Sequence, residues 1–293
     1  MDRPEYVDYR SAVISSEAWT ELKKRFLVNC CWHMDNKLAK KEKVGLWLMA
    51  LITLAAVIGL VIHGPLPQSQ NYHVFADNRA LWSTPNFFDV ISNLAFVLVG
   101  LLGLYELFVS KTMKIVNETR LSYTVFFIGV VLVGAGSGYY HLAPSNESLI
   151  WDRIPITIAI MALVSFVIVE FVSLRAGSIL LIPLVALGIL SVLFWYWTET
   201  IGNGDLRPYV LVQFLPMILI PVILVCFDSV FTRWNSYWLL LAAYALAKLS
   251  EIFDREIYSV VGLLSGHTLK HLLAAAGIYL LLVSFRYRRF LVP

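Results

Sequence analysis

Long apolar runs separated by short polar connections dominate the chain after residue 43. Each run is close to the ~20 residues that cross a bilayer as a helix. The runs are 44–63, 87–109, 122–143, 150–173, 178–197, 209–228, 236–253 and 264–284. This pattern predicts an all-α integral membrane protein that crosses the bilayer several times.

The composition agrees with this pattern. Hydrophobic residues make up 59% of the 293 residues and charged residues 15%, with a mean hydropathy of +0.72. These values exclude a soluble globular protein. The net charge is only +3, and we expect a membrane lipid as partner, not a nucleic acid.

Residues 1–43 are polar and carry charges of both signs. Trp19, Leu22 and Phe26 recur at helical spacing beside basic residues, which is typical of an amphipathic helix on a membrane surface. A polar tail with some helix explains the same pattern, and both interpretations stay open. In either case we expect this segment to be cytoplasmic.

The distribution of Lys and Arg predicts the orientation of the chain. Cytoplasmic loops of membrane proteins carry an excess of these residues. Most of the 23 Lys and Arg fall on one side if both termini are cytoplasmic. Besides the N-terminal segment, that side holds Lys111, Lys114, Arg120, Arg175, Arg233, Arg286, Arg288 and Arg289.

Polar residues from three apolar runs are predicted to meet near the outer face. Ser137 and His141 lie four residues apart and share a helix face near the end of one run. Asp152 begins the next run across a short loop, and His267 and His271 begin the last run at the same spacing. Ionisable groups are costly in a bilayer, so such a cluster indicates a functional site.

Histidine side chains in this number favour zinc. Three neutral imidazoles and one open position form the usual ligand set of a catalytic zinc ion. We therefore predict that His141, His267 and His271 bind Zn²⁺, with Asp152 handling the proton of a bound water and Ser137 orienting a ligand or an oxyanion. A bis-histidine haem site would space its ligands farther apart along a helix, and a cation pathway would string its groups across the bilayer.

Three ordered blocks resemble the alkaline ceramidase family, within the CREST superfamily of membrane hydrolases. They are Asn-Phe-Phe-Asp-Val-Ile-Ser-Asn-Leu at 86–94, Gly-Ser-Gly-Tyr-Tyr-His at 136–141 followed by Asp-Arg-Ile-Pro at 152–155, and Gly-His-Thr-Leu-Lys-His at 266–271. Their order and spacing are kept over roughly residues 72–284. The H-x-x-x-H block is common by itself, whereas the ordered set is specific.

This resemblance implies a seven-helix core over 87–284. The run at 44–63 would then be an extra N-terminal transmembrane helix, 64–86 an outer loop and 285–293 a basic cytoplasmic tail. The resemblance also implies zinc-dependent hydrolysis of a ceramide-like N-acyl sphingoid lipid into a fatty acid and a sphingoid base. It assigns the same roles to His141, His267, His271, Asp152 and Ser137 as the residue types themselves do. A non-enzymatic lipid receptor or sensor with a structural zinc is the alternative.

The outer loop departs from the family's pattern. Animal members carry an acidic calcium-binding stretch there, whereas this loop offers Asp77, Asn78 and Asn86. Calcium takes six to eight oxygen ligands, and these residues offer too few carboxylates to establish a Ca²⁺ site. Asp77 forming a cap or a salt bridge within the loop is the other interpretation.

Four further ionisable residues carry separate expectations. Lys248 and Glu251 are predicted to pair on one helix face. Lys270 is expected to extend toward the outer interface, and Glu170 is expected to lie at the opposite interface. The sequence leaves the exact lipid, the membrane or organelle and the oligomeric state open.

Overall fold

The computed structural model describes residues 38–291. The predicted amphipathic helix, with Trp19, Leu22 and Phe26, lies outside the described residues. The described part of the chain is helical. Its α-helices, numbered in chain order, are α1 (Lys40–His63), α2 (Phe87–Ser92), α3 (Leu94–Phe108), α4 (Arg120–Leu142), α5 (Asn146–Phe171), α6 (Leu174–Thr200), α7 (Arg207–Cys226), α8 (Ser236–Ile252), α9 (Asp254–Val261) and α10 (Gly266–Tyr287).

All eight apolar runs form helices, as predicted. Within residues 38–291, seven segments are long and apolar enough to cross a membrane, one of them α2 and α3 together. The run at 236–253 forms α8, which has 17 residues and is shorter than these segments. At 1.5 Å per residue it is about 26 Å long, slightly less than a bilayer core. The described part of the chain is that of a multi-pass membrane protein.

Helix α5 lies at the centre of the bundle. It packs against α4, α6 and α7, while α10 packs against α8 and α3. Most of α5 is buried, whereas in the fully described α1 only Gly45 is buried. Tyr123, Phe166 and Phe285 are fully buried between α4, α5 and α10, and such aromatic contacts add to the stability of the core.

The run at 87–109 is broken into α2 and α3 at Asn93. The side chains of Ser92 and Asn93 both donate hydrogen bonds to the backbone carbonyl of Asp89, at 3.1 and 2.7 Å. Side chains that bond to the backbone in this way compete with the regular helical ladder. The break leaves Asp89 and Ser92 buried at the end of the bundle that carries the histidines.

Glu170 at the far end of α5 is fully buried inside the bundle, and its expected position at the opposite interface stays a prediction. Its side chain is fully buried and accepts hydrogen bonds from Tyr123, from Tyr237 at 2.7 Å and from Arg288 at 2.8 Å. Arg288 is 2% exposed and also donates to the Lys114 carbonyl. A buried charge needs such partners, and Glu170 and Arg288 supply them to each other.

Candidate metal centre

A close approach of α4 and α5 sets the first half of the site. A side chain added at Gly136 would place its Cβ 1.8 Å from the Trp151 carbonyl oxygen, so only glycine fits there. The next residues on the two helices are Ser137 and Asp152. Both are buried, and their side chains interact with each other.

The start of α10 sets the second half. Ser265 caps the helix by accepting a hydrogen bond from the Thr268 backbone N–H at 3.0 Å. Gly266 packs so tightly on α8 that an added Cβ would lie 2.1 Å from the Ser250 carbonyl oxygen. The carboxylate of Asp254 accepts the backbone N–H of His267 at 2.7 Å. The first turn of α10 is therefore held from both sides.

His141, His267 and His271 come together at this end of the bundle. Their ring centroids are 4.8 to 5.1 Å apart, and each ring offers a nitrogen within 4.8 Å of the others. All three side chains are buried. The predicted convergence of three histidines from two distant parts of the sequence is therefore present.

The donor atoms fit a metal ion. Within the described residues, His271 Nε2 and His141 Nδ1 are buried and have no hydrogen-bond partner. Buried polar atoms are rarely left in this state, and a ligand is one explanation for them. Ser92 Oγ lies 2.8 Å from His271 Nδ1, the kind of outer contact that fixes the tautomer of a metal-binding histidine. This set of neutral imidazoles suits zinc, although the arrangement itself does not identify the ion.

Phe75, in the loop between α1 and α2, packs on the histidines. Its ring centroid lies 4.6 Å from that of His141 and 4.8 Å from that of His267. Phe75 is itself 8% exposed. An aromatic cover of this kind excludes water, which strengthens electrostatic interactions beneath it.

Asp152 is buried, and the next residue, Arg153, connects this turn of α5 to the loop before α2 and to α6. Arg153 donates to Gln68 at 2.5 Å, and its guanidinium lies 4.1 Å from the Trp195 ring centroid. Cation–π contacts of this kind stabilise a buried guanidinium. Asp152 therefore lies on a turn of α5 that these contacts of Arg153 hold in place.

Lys270 turns toward the histidines, with a side chain that is 18% exposed, and its expected extension to the outer interface stays a prediction. Its Nζ lies 2.8 Å from His267 Nε2 and 3.0 Å from a carboxylate oxygen of Glu251. Glu251 accepts from Lys248 at 2.7 Å through its other oxygen, which confirms the predicted pair. A shared carboxylate thus holds an ammonium group beside the histidines.

In the loop between α1 and α2, polar side chains that could bind calcium form contacts within the protein. Both carboxylate oxygens of Asp77 accept from the Arg79 guanidinium, at 2.8 and 2.6 Å. Burial raises the pKa of Asp77, hydrogen bonds and charge from Arg79 lower it, and the net result is a pKa below its usual value. Asn86 donates its side-chain amide to the His141 carbonyl at 2.8 Å. The salt-bridge interpretation of Asp77 is therefore correct, and calcium gains no support from these contacts.

Sequence reasoning missed the residues that support the histidines. Asp89 accepts hydrogen bonds from Thr268 at 2.6 Å and from Ser265 at 3.2 Å, and so joins α2 to the start of α10. Asp89 and Ser92 both lie in the 86–94 block. Their presence beside Phe-Phe in an otherwise apolar run was the available signal. Their partners lie more than 170 residues away, and no local pattern identifies them.

The comparisons with known proteins add no relative. No protein-family model matches the chain, and no curated protein matches it either.

Proposed function

We propose that this protein is a zinc-dependent amide hydrolase that cleaves a ceramide-like N-acyl sphingoid lipid. The single observation that carries the proposal is the buried triangle of His141, His267 and His271 with two partnerless ring nitrogens. The buried Asp152 on the neighbouring helix adds the carboxylate that such chemistry needs. The ordered resemblance to the alkaline ceramidase blocks supplies the substrate class.

Each residue has a role in the proposed reaction. His141, His267 and His271 hold the zinc, which when bound acts as a Lewis acid and lowers the pKa of a water to about 7. Asp152 accepts the proton of the attacking water, whose oxygen bonds to the acyl carbon. The C–N bond then breaks, and Asp152 returns the proton to the leaving amine. Ser137 orients the acyl group or stabilises the oxyanion that develops on it.

The proposed arrangement in the membrane follows from the distribution of charge. We place both termini in the cytoplasm and the histidine site toward the periplasmic, extracellular or lumenal face. In this arrangement α8 belongs to a seven-helix core formed by residues 87–284, although it is short. Helix α1 is then the extra N-terminal helix, in agreement with the burial of Gly45 alone among its residues.

Metal analysis of purified, active protein tests the proposal. We expect about one zinc per chain and loss of both zinc and hydrolysis in His267→Ala. Active protein without zinc would overturn the proposal. A lipid that binds tightly and is recovered uncleaved, with every ceramide inert, would favour the receptor alternative.

A further inference from the structure

Among the described residues, Lys270 supplies the cationic group that contacts the histidine triangle. It follows His267 by three positions, so the two side chains share a face of α10. Its Nζ is 2.8 Å from His267 Nε2, and the side chain is only 18% exposed. The long side chain of Lys270 is therefore directed at the histidines and is mostly shielded from solvent.

Glu251 is what holds this lysine. One carboxylate oxygen accepts from Lys270 at 3.0 Å, and the other accepts from Lys248 at 2.7 Å. The hydroxyl of Tyr72 also donates to Glu251 at 3.3 Å. One carboxylate shared between two ammonium groups leaves an excess of positive charge at this point.

The positive charge of Lys270 acts on the ionisable groups of the candidate site. Lys270 interacts electrostatically with Asp152 and with each of His141, His267 and His271. Because these groups are buried, the effective dielectric constant between them is low and a charge acts more strongly than in water. An acyl group placed between the histidines and Asp152 is therefore within the field of Lys270.

The ammonium group of Lys270 also has N–H donors that could bind a ligand. A lysine has three N–H donors, and the contacts with His267 and Glu251 use two of them. A ring nitrogen has one lone pair, so His267 Nε2 cannot accept from Lys270 and bind a metal at the same time. In a metal-loaded site ligated through that nitrogen, Lys270 keeps Glu251 and has two donors for another acceptor.

We propose that Lys270 is a substrate-binding residue that donates a hydrogen bond to the acyl oxygen, with Glu251 as its positioning residue. This inference rests on the proposed function. It deepens that function by assigning a cation to the oxygen on which negative charge develops, and to the carboxylate of the fatty acid that is released. The site accordingly prefers a ligand with an anionic oxygen to a neutral ligand of the same chain length.

Binding of two probes to the zinc-loaded, full-length protein tests this inference. The probes are laurate and dodecanol, which share a twelve-carbon chain and differ in charge. We expect the wild type to prefer laurate, and Lys270→Met to reduce that preference by about tenfold or more, the size of a charge-assisted hydrogen bond. Lys270→Arg should restore most of the preference. Lys248→Met, the matched control that removes the other partner of Glu251, should change it less than threefold.

The outcomes separate a binding role from a structural one. A structural role would change zinc content or melting temperature in Lys270→Met and leave the ratio of the two affinities unchanged. Retention of the full preference in Lys270→Met means that zinc alone recognises the carboxylate, and it overturns the inference. Lys270→Gln, which keeps a donor but no charge, replaces Lys270→Met if that variant does not fold. Equal binding of both probes to the wild type overturns the inference without any variant.

The same measurements distinguish this inference from the proposed function. A laurate preference that depends on Lys270, in a protein that cleaves no N-acyl lipid, supports the inference and counts against hydrolysis. Cleavage of N-acyl lipids, with no effect of Lys270→Met on the laurate preference, supports hydrolysis and overturns the inference about Lys270.

Discussion

Ser92 and His271 are 179 residues apart in the sequence, yet their side chains form a buried hydrogen bond of 2.8 Å. The contact leaves His271 Nε2 as the ring nitrogen without a partner among the described residues. Ser92 also donates to the Asp89 carbonyl, so its hydroxyl lies between α2 and α10. The orientation of one proposed metal ligand thus depends on a helix far away in the chain.

Replacing Ser92 by alanine should weaken metal binding. Loss of a hydrogen bond that orients a ligand typically lowers metal affinity about 10- to 100-fold. Competition with a chelator measures this for Ser92→Ala. Ser191→Ala is the matched control, because Ser191 is also buried and donates to the carbonyl three residues earlier. Equal affinities in both variants would show that Ser92 does not orient His271.

Position 136 should tolerate no side chain, whereas position 138 should accept one. An added Cβ at Gly136 would collide with the Trp151 carbonyl, whereas one at Gly138 meets nothing within 4 Å. Gly136→Ala must therefore separate α4 from α5, and overpacking of this kind costs about 1–3 kcal/mol or more. Melting temperature and zinc content of the two variants check this. A Gly138→Ala variant as damaged as Gly136→Ala would contradict the packing described here.

Asp152→Asn should separate metal binding from hydrolysis. The amide keeps the shape of the carboxylate but cannot accept a proton, so we expect a loss of about 10²- to 10⁴-fold in the rate of hydrolysis. Zinc content should stay near that of the wild type, because Asp152 is not one of the proposed ligands. Asp205→Asn, in a loop outside the spans, serves as the control. Full activity in Asp152→Asn would exclude Asp152 as the base.

The buried ion pair between Glu170 and Arg288 should be important for stability. Removing one partner leaves an uncompensated buried charge, which typically costs about 3–5 kcal/mol. Arg288→Met should therefore lower the melting temperature clearly. Lys41→Met removes an exposed partner of Asp228 and should change stability by at most about 1 kcal/mol. Similar melting temperatures for the two variants would contradict a stabilising role of Arg288.

Much of the helical pattern and the histidine cluster could be predicted from the sequence. Apolar runs of bilayer length and the four-residue spacing of His267 and His271 are local signals. The contacts of Lys270 and Glu170 could not be predicted, because rules for polar residues near helix ends state only that such residues favour an interface. Lys270 binds Glu251 on α8, and the fully buried Glu170 binds Arg288, 118 residues away. Long-range pairs of this kind leave no trace in local spacing.

The most direct test of the central claim is product analysis by mass spectrometry. Wild-type protein and His271→Ala are incubated with a panel of N-acyl lipids, among them ceramides. We expect the wild type to release a fatty acid and a sphingoid base in equal amounts, and His271→Ala to release neither. Intact lipids throughout the panel with zinc-loaded wild type, or equal release by His271→Ala, would contradict that claim.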